Sequence, residues 1–218
     1  MADGGPDPLS PADAPPSHSG VDAVGSDAGP NRALDLAIAD LSPIERLGFR
    51  GPQVVQWLNE LGFAVEPSAT QAYRHPDHHL VVTVGEGELL VLPPLDPVAR
   101  AIWDTASLPV DERMCRPTPR RDGSLWFRVT GRRAPQVIAA LAGIDAAPAL
   151  FPDLAVTPIE VMRHRGLLVR DDLGGVLAYH ILFIRASASF LWTVVSNRIA
   201  DMGGAAVNPE MLRGLAAG

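Results

Sequence analysis

The sequence predicts an α+β protein made of two pseudo-duplicated lobes of the ferredoxin-like, or split βαβ, type. Two observations lead to this fold class. The stretch RGPQVVQWLNELG at residues 50–62 recurs in part as RAPQVIAALAG at residues 133–143. Around each copy, the hydrophobic pattern predicts the same order of strand, helix, strands and helix. Internal duplication explains both observations; coincidence is the alternative, because proline is common at the first position of helices.

The first half contains a predicted helix followed by a predicted strand pair. Residues 52–62 begin with proline and end with glycine, as helices commonly do. The apolar residues within this stretch have the spacing of one helix face, namely Val54, Trp57, Leu58 and Leu61. LVVTVG and ELLVLPP then predict two strands joined by a turn at Gly85–Gly87. A second helix is predicted from Asp96, which is a candidate N-cap before a proline.

The second half repeats this order. SLWFRVTG predicts a half-buried strand, because its residues alternate between two faces. The predicted inner residues are Leu125, Phe127 and Val129, and the predicted outer residues are Trp126, Arg128 and Thr130. PQVIAALAG predicts a helix that ends at Gly143, and the strands that follow contain a turn at Asp171–Gly175. SASFLWTVVSNRIADMGG predicts the last helix, which ends at Gly203–Gly204 and carries an apolar stripe of Phe190, Leu191, Val194, Val195, Ile199 and Met202.

Composition divides the 218 residues into three parts. Residues 1–30 contain six prolines, five glycines and five aspartates but no phenylalanine, tyrosine, tryptophan, lysine or arginine, which predicts a disordered N-terminal tail. Residues 31–204 form the predicted domain, and residues 205–218 are interpreted as a C-terminal tail. Most of the net charge of −7 lies in the N-terminal tail. The nearly neutral domain indicates neither a nucleic-acid-binding surface nor a polybasic membrane patch.

The expected location is cytoplasmic. Cys115 is the single cysteine, which excludes an intrachain disulfide and fits a reducing compartment. No signal peptide is visible at the N-terminus, and no apolar run has the length of a membrane span.

The histidines of YRHPDHHL form the first candidate for chemistry. His75, Asp77, His78 and His79 are types of residue that bind metals. However, the adjacent His78 and His79 point to opposite sides of an extended chain, and Asp77 after a proline is typical of a turn. The sequence therefore favours a polar hairpin loop over a metal site.

Two other candidates for chemistry also favour a structural interpretation. Cys115 lies between Arg113 and Arg116, which would lower a thiol pKa, but no histidine is near it in the sequence to act as a base. His180 shares a strand face with apolar residues, and no carboxylate partner is evident in the sequence. We therefore assign no catalytic, cofactor-binding or metal-binding residue to the chain.

Four stretches of the sequence, taken in order, resemble a known family. DLSPIERLGFRGP, VTGRRAPQVIAAL, FPDLAVTPIEVM and FIRASASFLWTVV, within about residues 39–200, are similar to the gamma subunit of heterotetrameric sarcosine oxidase. That family in turn resembles the folate-binding domain of glycine-cleavage aminomethyltransferase, which is a duplicated fold. The resemblance implies the same fold here. It also implies that the chain belongs to an enzyme complex without being catalytic on its own.

The function implied by the resemblance is that of a small, non-catalytic subunit. It would serve the assembly and stability of larger alpha and beta subunits that oxidise the N-methyl groups of small amines such as sarcosine. FAD, FMN, NAD and tetrahydrofolate would be bound by those larger subunits, and none by this chain. The alternative is a free-standing folate-binding enzyme of the aminomethyltransferase type, although the chain lacks the length for that enzyme's C-terminal β-domain. A stand-alone module that binds a small ligand is a third alternative.

The interface with larger subunits is expected around Trp192. At about 100° per residue, this side chain lies off the centre of the apolar stripe of the last helix. Tryptophan and arginine are enriched at interfaces. The rim is expected to contain Arg185, Arg120, Arg121 and Arg128, for which ordinary solvated charge is the alternative.

Deletion of residues 1–30 should leave the stability of the domain nearly unchanged, because their composition argues against burial. Thermal unfolding of the full-length and truncated chains measures this. A fall of many degrees in melting temperature on truncation would show that the segment packs on the domain.

Overall fold

The structure, a computed structural model, describes residues 30–63, 65–66, 68–96, 115–119, 124–184 and 188–216. Its helices are α1 (Pro30–Asp35), α2 (Val54–Glu60), α3 (Ala134–Ala142), α4 (Ala188–Asp201) and α5 (Pro209–Ala216). Its strands are β1 (Ala37–Asp40), β2 (Leu47–Arg50), β3 (Tyr73–Arg74), β4 (Leu80–Gly85), β5 (Glu88–Leu92), β6 (Arg116–Pro119), β7 (Ser124–Thr130), β8 (Val156–Val161), β9 (His164–Arg170), β10 (Ala178–Ile184) and β11 (Ala205–Ala206). The helix predicted after Asp96 lies outside the described residues.

The strands form two sheets that face each other. The first sheet has the order β11-β1-β7-β10-β9-β8, and the second has the order β3-β4-β5-β2-β6. One apolar cluster combines residues of both sheets and fills the space between them. A second cluster lies between the first sheet and helices α3 and α4, and a third lies between the second sheet and α2. The mixed α+β class is confirmed, whereas the internal duplication stays a prediction.

The local predictions of turns and helix ends agree with the structure. Gly85–Gly87 joins β4 to β5, and Asp171–Gly175 lies between β9 and β10. Helix α3 ends at Gly143, whose φ of 68° is the left-handed conformation that glycine adopts without strain. In α2, Val54, Trp57 and Leu58 are buried as their spacing predicts.

Strand β7 differs from the prediction of one buried face, because both of its faces are buried. Its inner residues pack toward α3 and α4 as expected. The supposed outer residues Trp126, Arg128 and Thr130 are only 0–4 % exposed. They point into the space between the sheets, where the second sheet excludes water. The alternation was therefore correct, but the polar face meets protein and not solvent.

Helix α4 also differs in which aromatic residue it buries. Leu191, Val195 and Ile199 are fully buried and, at a spacing of four residues, define the inner face. Phe190, expected in the stripe, is 45 % exposed. Trp192 is half-buried, and its ring lies edge-on to Phe127 with 5.3 Å between ring centroids. The two aromatic residues flank the inner face on opposite sides, and only Trp192 reaches a ring in the core.

Residues 205–216 belong to the folded domain, in contrast to the expected C-terminal tail. Strand β11 pairs with β1 in parallel, which adds an edge to the first sheet. Helix α5 packs against the cluster between the sheets, where Leu212 is fully buried. The stretch carries only four large apolar residues, one valine, one methionine and two leucines, so its short apolar pattern was a weak signal.

Replacement of Leu212 by alanine should lower the free energy of unfolding by about 2–5 kcal/mol, because it removes a fully buried side chain and leaves a cavity. The matched control is Leu34→Ala in α1, where 44 % of the residue is exposed and the loss should stay within about 1 kcal/mol. Urea denaturation of both variants measures the difference. Equal losses would contradict the integration of α5 into the core.

Candidate functional site

A group of hydrogen-bonded polar side chains lies between the two sheets. Asp171 follows β9, and around it are Arg128 and Trp126 from β7, His180 from β10 and Arg74 from β3. We call these five residues the Asp171 cluster. Arg128 and His180 are paired residues on neighbouring strands, which places their side chains on one face. Arg74 belongs to the second sheet, so the cluster joins both sheets.

Both carboxylate oxygens of Asp171 accept two hydrogen bonds each. Arg74 donates to Oδ1 from Nε and Nη2 at 3.0 and 2.6 Å. Arg128 donates to Oδ2 from Nη2 at 2.6 Å, and His180 donates to the same oxygen from Nε2 at 3.1 Å. Arg128 Nη2 is also 2.7 Å from the backbone carbonyl of Asp171. This arrangement satisfies the buried charge with two guanidinium groups and one imidazole.

The hydrogen bonds of His180 fix its tautomer. The indole N–H of Trp126 donates to His180 Nδ1 at 2.8 Å, so Nδ1 is an acceptor and carries no proton. The proton of the neutral ring is therefore on Nε2, from which it is donated to Asp171. A second proton on Nδ1 would break the hydrogen bond from Trp126. The expected satisfied core histidine is confirmed, and its carboxylate partner is Asp171.

Electrostatics keep the cluster in one protonation state at neutral pH. Burial is the main influence on the pKa of His180 and lowers it to about 4, with the charge of Arg128 acting in the same direction. Burial alone would raise the pKa of Asp171, but the charges of Arg128 and Arg74 and the hydrogen bond from His180 outweigh it and hold that pKa well below its ordinary value. Asp171 is thus ionised and His180 neutral. Burial also lowers the pKa of Arg128, yet a guanidinium group stays charged in proteins.

A second layer of ion pairs extends the cluster toward the surface. Arg74 Nη2 also donates to Asp153, whose side chain is 38 % exposed, at 3.1 Å. Next to Asp171, the carboxylate of Asp172 accepts from Nε and Nη2 of Arg170 at 3.0 and 2.6 Å. These pairs alternate in sign, so the charges compensate one another.

The geometry makes the Asp171 cluster a clamp and not an acid–base centre. An aspartate–histidine pair can activate a nucleophile only if the second ring nitrogen faces that nucleophile. Here the second nitrogen is occupied by Trp126, and His180 is 2 % exposed. No substrate proton has access to the ring. What the cluster does is hold β3 of the second sheet against β7 and β10 of the first.

The histidines between β3 and β4 form a turn, which confirms the hairpin interpretation. Asp77 Oδ1 accepts from the backbone N–H of His79 at 3.1 Å and lies 2.9 and 2.5 Å from the Nδ1 atoms of His79 and His75. His78 is exposed with a φ of 69°, whereas His79 is buried. Within the described ranges, no group of three or more histidine, cysteine, aspartate or glutamate side chains has an arrangement that could hold a metal ion.

Cys115 is 1 % exposed and packs in the cluster between the second sheet and α2. Solvent and substrates therefore have no access to its thiol. Arg113, one of the two arginines near it in the sequence, lies outside the described residues.

Of the five residues expected at a partner interface, the structure describes only Arg128 and Trp192. Arg185, Arg120 and Arg121 lie outside the described residues. Arg128 is 4 % exposed and forms an ion pair with Asp171, so it lies in the interior and not at the rim of an interface. Its role was missed because the pairing of β7 with β10 and the approach of the second sheet cannot be inferred from local sequence. An interface role for Trp192 stays a prediction.

The longest helix of the described residues, α4, has 14 residues. None of the helices within the described ranges is long and apolar enough to cross a bilayer.

Comparisons with known proteins identify the fold. Neither a family model nor a curated protein sequence matches this chain. A chain of the heterotetrameric sarcosine oxidase from Corynebacterium sp. U-96 matches with a TM-score of 0.55 and 14 % identity, over 84 % of this chain and 86 % of that chain. The glycine cleavage system aminomethyltransferase T from Bartonella henselae matches with a TM-score of 0.60 and 14 % identity, over 86 % of this chain and 52 % of that chain.

These similarities define the class of protein by its fold. The chain has the two-sheet α+β architecture found in a sarcosine oxidase chain and in about half the length of an aminomethyltransferase. The resemblance seen in the sequence is thereby supported at the level of structure.

Replacement of His180 by asparagine should reduce the pH dependence of stability. Because the pKa of His180 rises from about 4 in the folded chain to its ordinary 6.5 on unfolding, the unfolded chain binds an extra proton between these values. Stability therefore falls as the pH is lowered through this window. Between about pH 7.5 and about pH 5, the wild type should lose about 2 kcal/mol more than His180→Asn.

Urea denaturation at several pH values measures this loss. The matched control is His78→Asn, since His78 is exposed in a turn and asparagine tolerates its positive φ. The lowered pKa of His79 acts in the same direction and leaves a residual slope in every variant. If His180→Asn keeps the full wild-type slope, the neutral, buried state of His180 is wrong.

Proposed function

We propose that this chain is a small, non-catalytic subunit of a flavin-dependent complex of the sarcosine oxidase type, in which it serves the assembly and stability of the larger subunits. The match to a chain of heterotetrameric sarcosine oxidase carries this proposal. It covers 84 % of this chain and 86 % of that one, so the two chains have similar lengths and correspond nearly end to end. The shared fold therefore extends over most of both chains.

The interior of the described residues supports the absence of catalysis. The one aspartate–histidine pair of the Asp171 cluster has both ring nitrogens engaged and is closed to solvent. Cys115 is buried among apolar side chains. Both groups that would ordinarily suggest chemistry are thus explained by packing and charge compensation.

Under this proposal the larger alpha and beta subunits bind the cofactors. FAD, FMN, NAD and tetrahydrofolate belong to those subunits, which oxidise the N-methyl groups of small amines such as sarcosine. This chain contributes a surface. The half-buried Trp192 remains part of the proposed interface, together with Arg185, Arg120 and Arg121. Arg128 is not included, because it is buried.

A second candidate is a free-standing folate-binding protein of the aminomethyltransferase type. The TM-score of 0.60 with aminomethyltransferase T favours it, since this value exceeds the 0.55 for the sarcosine oxidase chain. The chain nevertheless spans only 52 % of that enzyme. Binding of tetrahydrofolate by the isolated chain would distinguish this candidate from the subunit.

The isolated chain should be colourless, should not oxidise sarcosine or other N-methyl amines, and should not bind tetrahydrofolate. Co-expressed with the alpha and beta flavoprotein subunits of its own organism, it should co-purify with them in fixed stoichiometry and raise their yield or stability. Visible absorbance, an oxidase assay and calorimetric titration with tetrahydrofolate measure these properties. Flavin bound to the isolated chain would contradict the subunit proposal, and saturable folate binding would favour the second candidate.

A further inference from the structure

Two large apolar side chains are exposed at the same end of the first sheet. Met162 lies in the turn between β8 and β9 and is 58 % exposed, and Phe190 lies in the first turn of α4 and is 45 % exposed. His164 connects them. Its ring centroid is 6.1 Å from that of Phe190, and its Nδ1 is 3.0 Å from the carbonyl oxygen of Met162. The exposed Phe190 thus lies next to the β8–β9 hairpin, whose turn carries the exposed Met162.

The turn that contains Met162 has a backbone conformation that is unusual for the residues that form it. Met162 and Arg163 are the only two residues between β8 and β9, and their φ values are 49° and 66°. A two-residue hairpin with positive φ at both positions is a type I′ turn, for which asparagine and glycine are the favoured residues. Methionine and arginine are locally unfavourable there. Turn formation does not explain their presence, which points to a use for the side chains themselves.

This part of the surface carries positive charge. Arg163 and Arg165 are exposed, and neither forms an ion pair with any residue in the part of the chain that the structure describes. Glu160 pairs with Arg165 across β8 and β9 in the strand register, but without an ion pair between their side chains. Two arginines near an exposed methionine and an exposed phenylalanine give this part of the surface both positive charge and apolar area.

The neighbouring edge strand of the first sheet is poorly suited to backbone pairing with an additional strand. Strand β8 is the edge of the first sheet. The N–H of Val156 already donates to the carbonyl of Thr70 at 2.7 Å, and Pro158, two residues along the same strand, has no N–H. Proline on an edge strand blocks pairing with a further strand. Recognition at this end of the sheet must therefore depend on side chains.

We infer that Met162, Arg163, Arg165 and Phe190 form a docking surface, here called the hairpin-tip patch, for an acidic surface with an apolar pocket on a larger subunit of the complex. This inference rests on the proposed function and names the chemistry of the partner. Methionine, aromatic residues and arginine are enriched at the centres of protein interfaces. The apolar pair would enter the pocket, and the two arginines would pair with carboxylates beside it.

The test uses complexes of the full chain with its flavoprotein subunits and a variant that should not harm the fold. Met162→Asn combined with Arg163→Gly replaces the tip by the favoured type I′ pair, so the free energy of unfolding should stay equal or rise. The affinity for the larger subunits should fall about tenfold or more. Phe190→Ser and Arg165→Glu should each weaken assembly as well, and Arg165→Glu should also slow association at low salt.

Leu150→Ser is the matched control, because Leu150 is 70 % exposed but precedes β8, whereas Met162 follows it. This variant should assemble like the wild type. If the wild type assembles and the hairpin-tip variants do so equally well, the inference is overturned while the proposed function stands. If the wild type does not associate with flavoprotein subunits, both are overturned. If sedimentation shows that the variants abolish only self-association, the occupant is a second copy of this chain and the inferred partner is wrong.

Discussion

The carboxylate of Asp171 is the interaction on which the arrangement of the two sheets depends. It lies between Arg74 of the second sheet and Arg128 of the first, with 2.6 Å to each. Desolvation makes a buried charge costly unless opposite charges and hydrogen bonds compensate it. Loss of one partner would leave an uncompensated ion, at a cost of roughly 3–5 kcal/mol. Apolar contact fills the space between the sheets, and the ion pairs of Asp171 link residues of both sheets.

Because its charges compensate one another, the Asp171 cluster has a structural role, and a function is expected at the surface. His180 and Trp126 complete the hydrogen bonds of the clamp and leave no ring nitrogen for a substrate. The described interior thus stabilises the fold. The side chains whose positions the fold does not explain are exposed. They lie at the tip of the β8–β9 hairpin and at the start of α4, where Met162 and Phe190 face solvent. A subunit that acts by presenting a surface would have this distribution.

Most of the elements and part of the site could be predicted from local features of the sequence. The spacing of Trp57 with its apolar neighbours predicted α2, and the glycines at 85 and 87 predicted the β4–β5 turn, because periodicity and positive φ depend on nearby residues alone. His180 was correctly interpreted as a satisfied core residue. Its partner Asp171 was missed, because nine residues and a strand turn separate the two in sequence.

The sequence by itself determined the α+β class, the alternation of β7 and the ends of α2 and α3, since each follows from short-range geometry. Only the tertiary structure decided what covers each face. The second sheet covers the polar face of β7, so this face is buried. Trp192 packs against the ring of Phe127, whereas Phe190 is exposed. Pairing with β1 likewise made the C-terminal residues part of the domain. Burial is a property of contacts between distant segments, and local periodicity does not specify which segments meet.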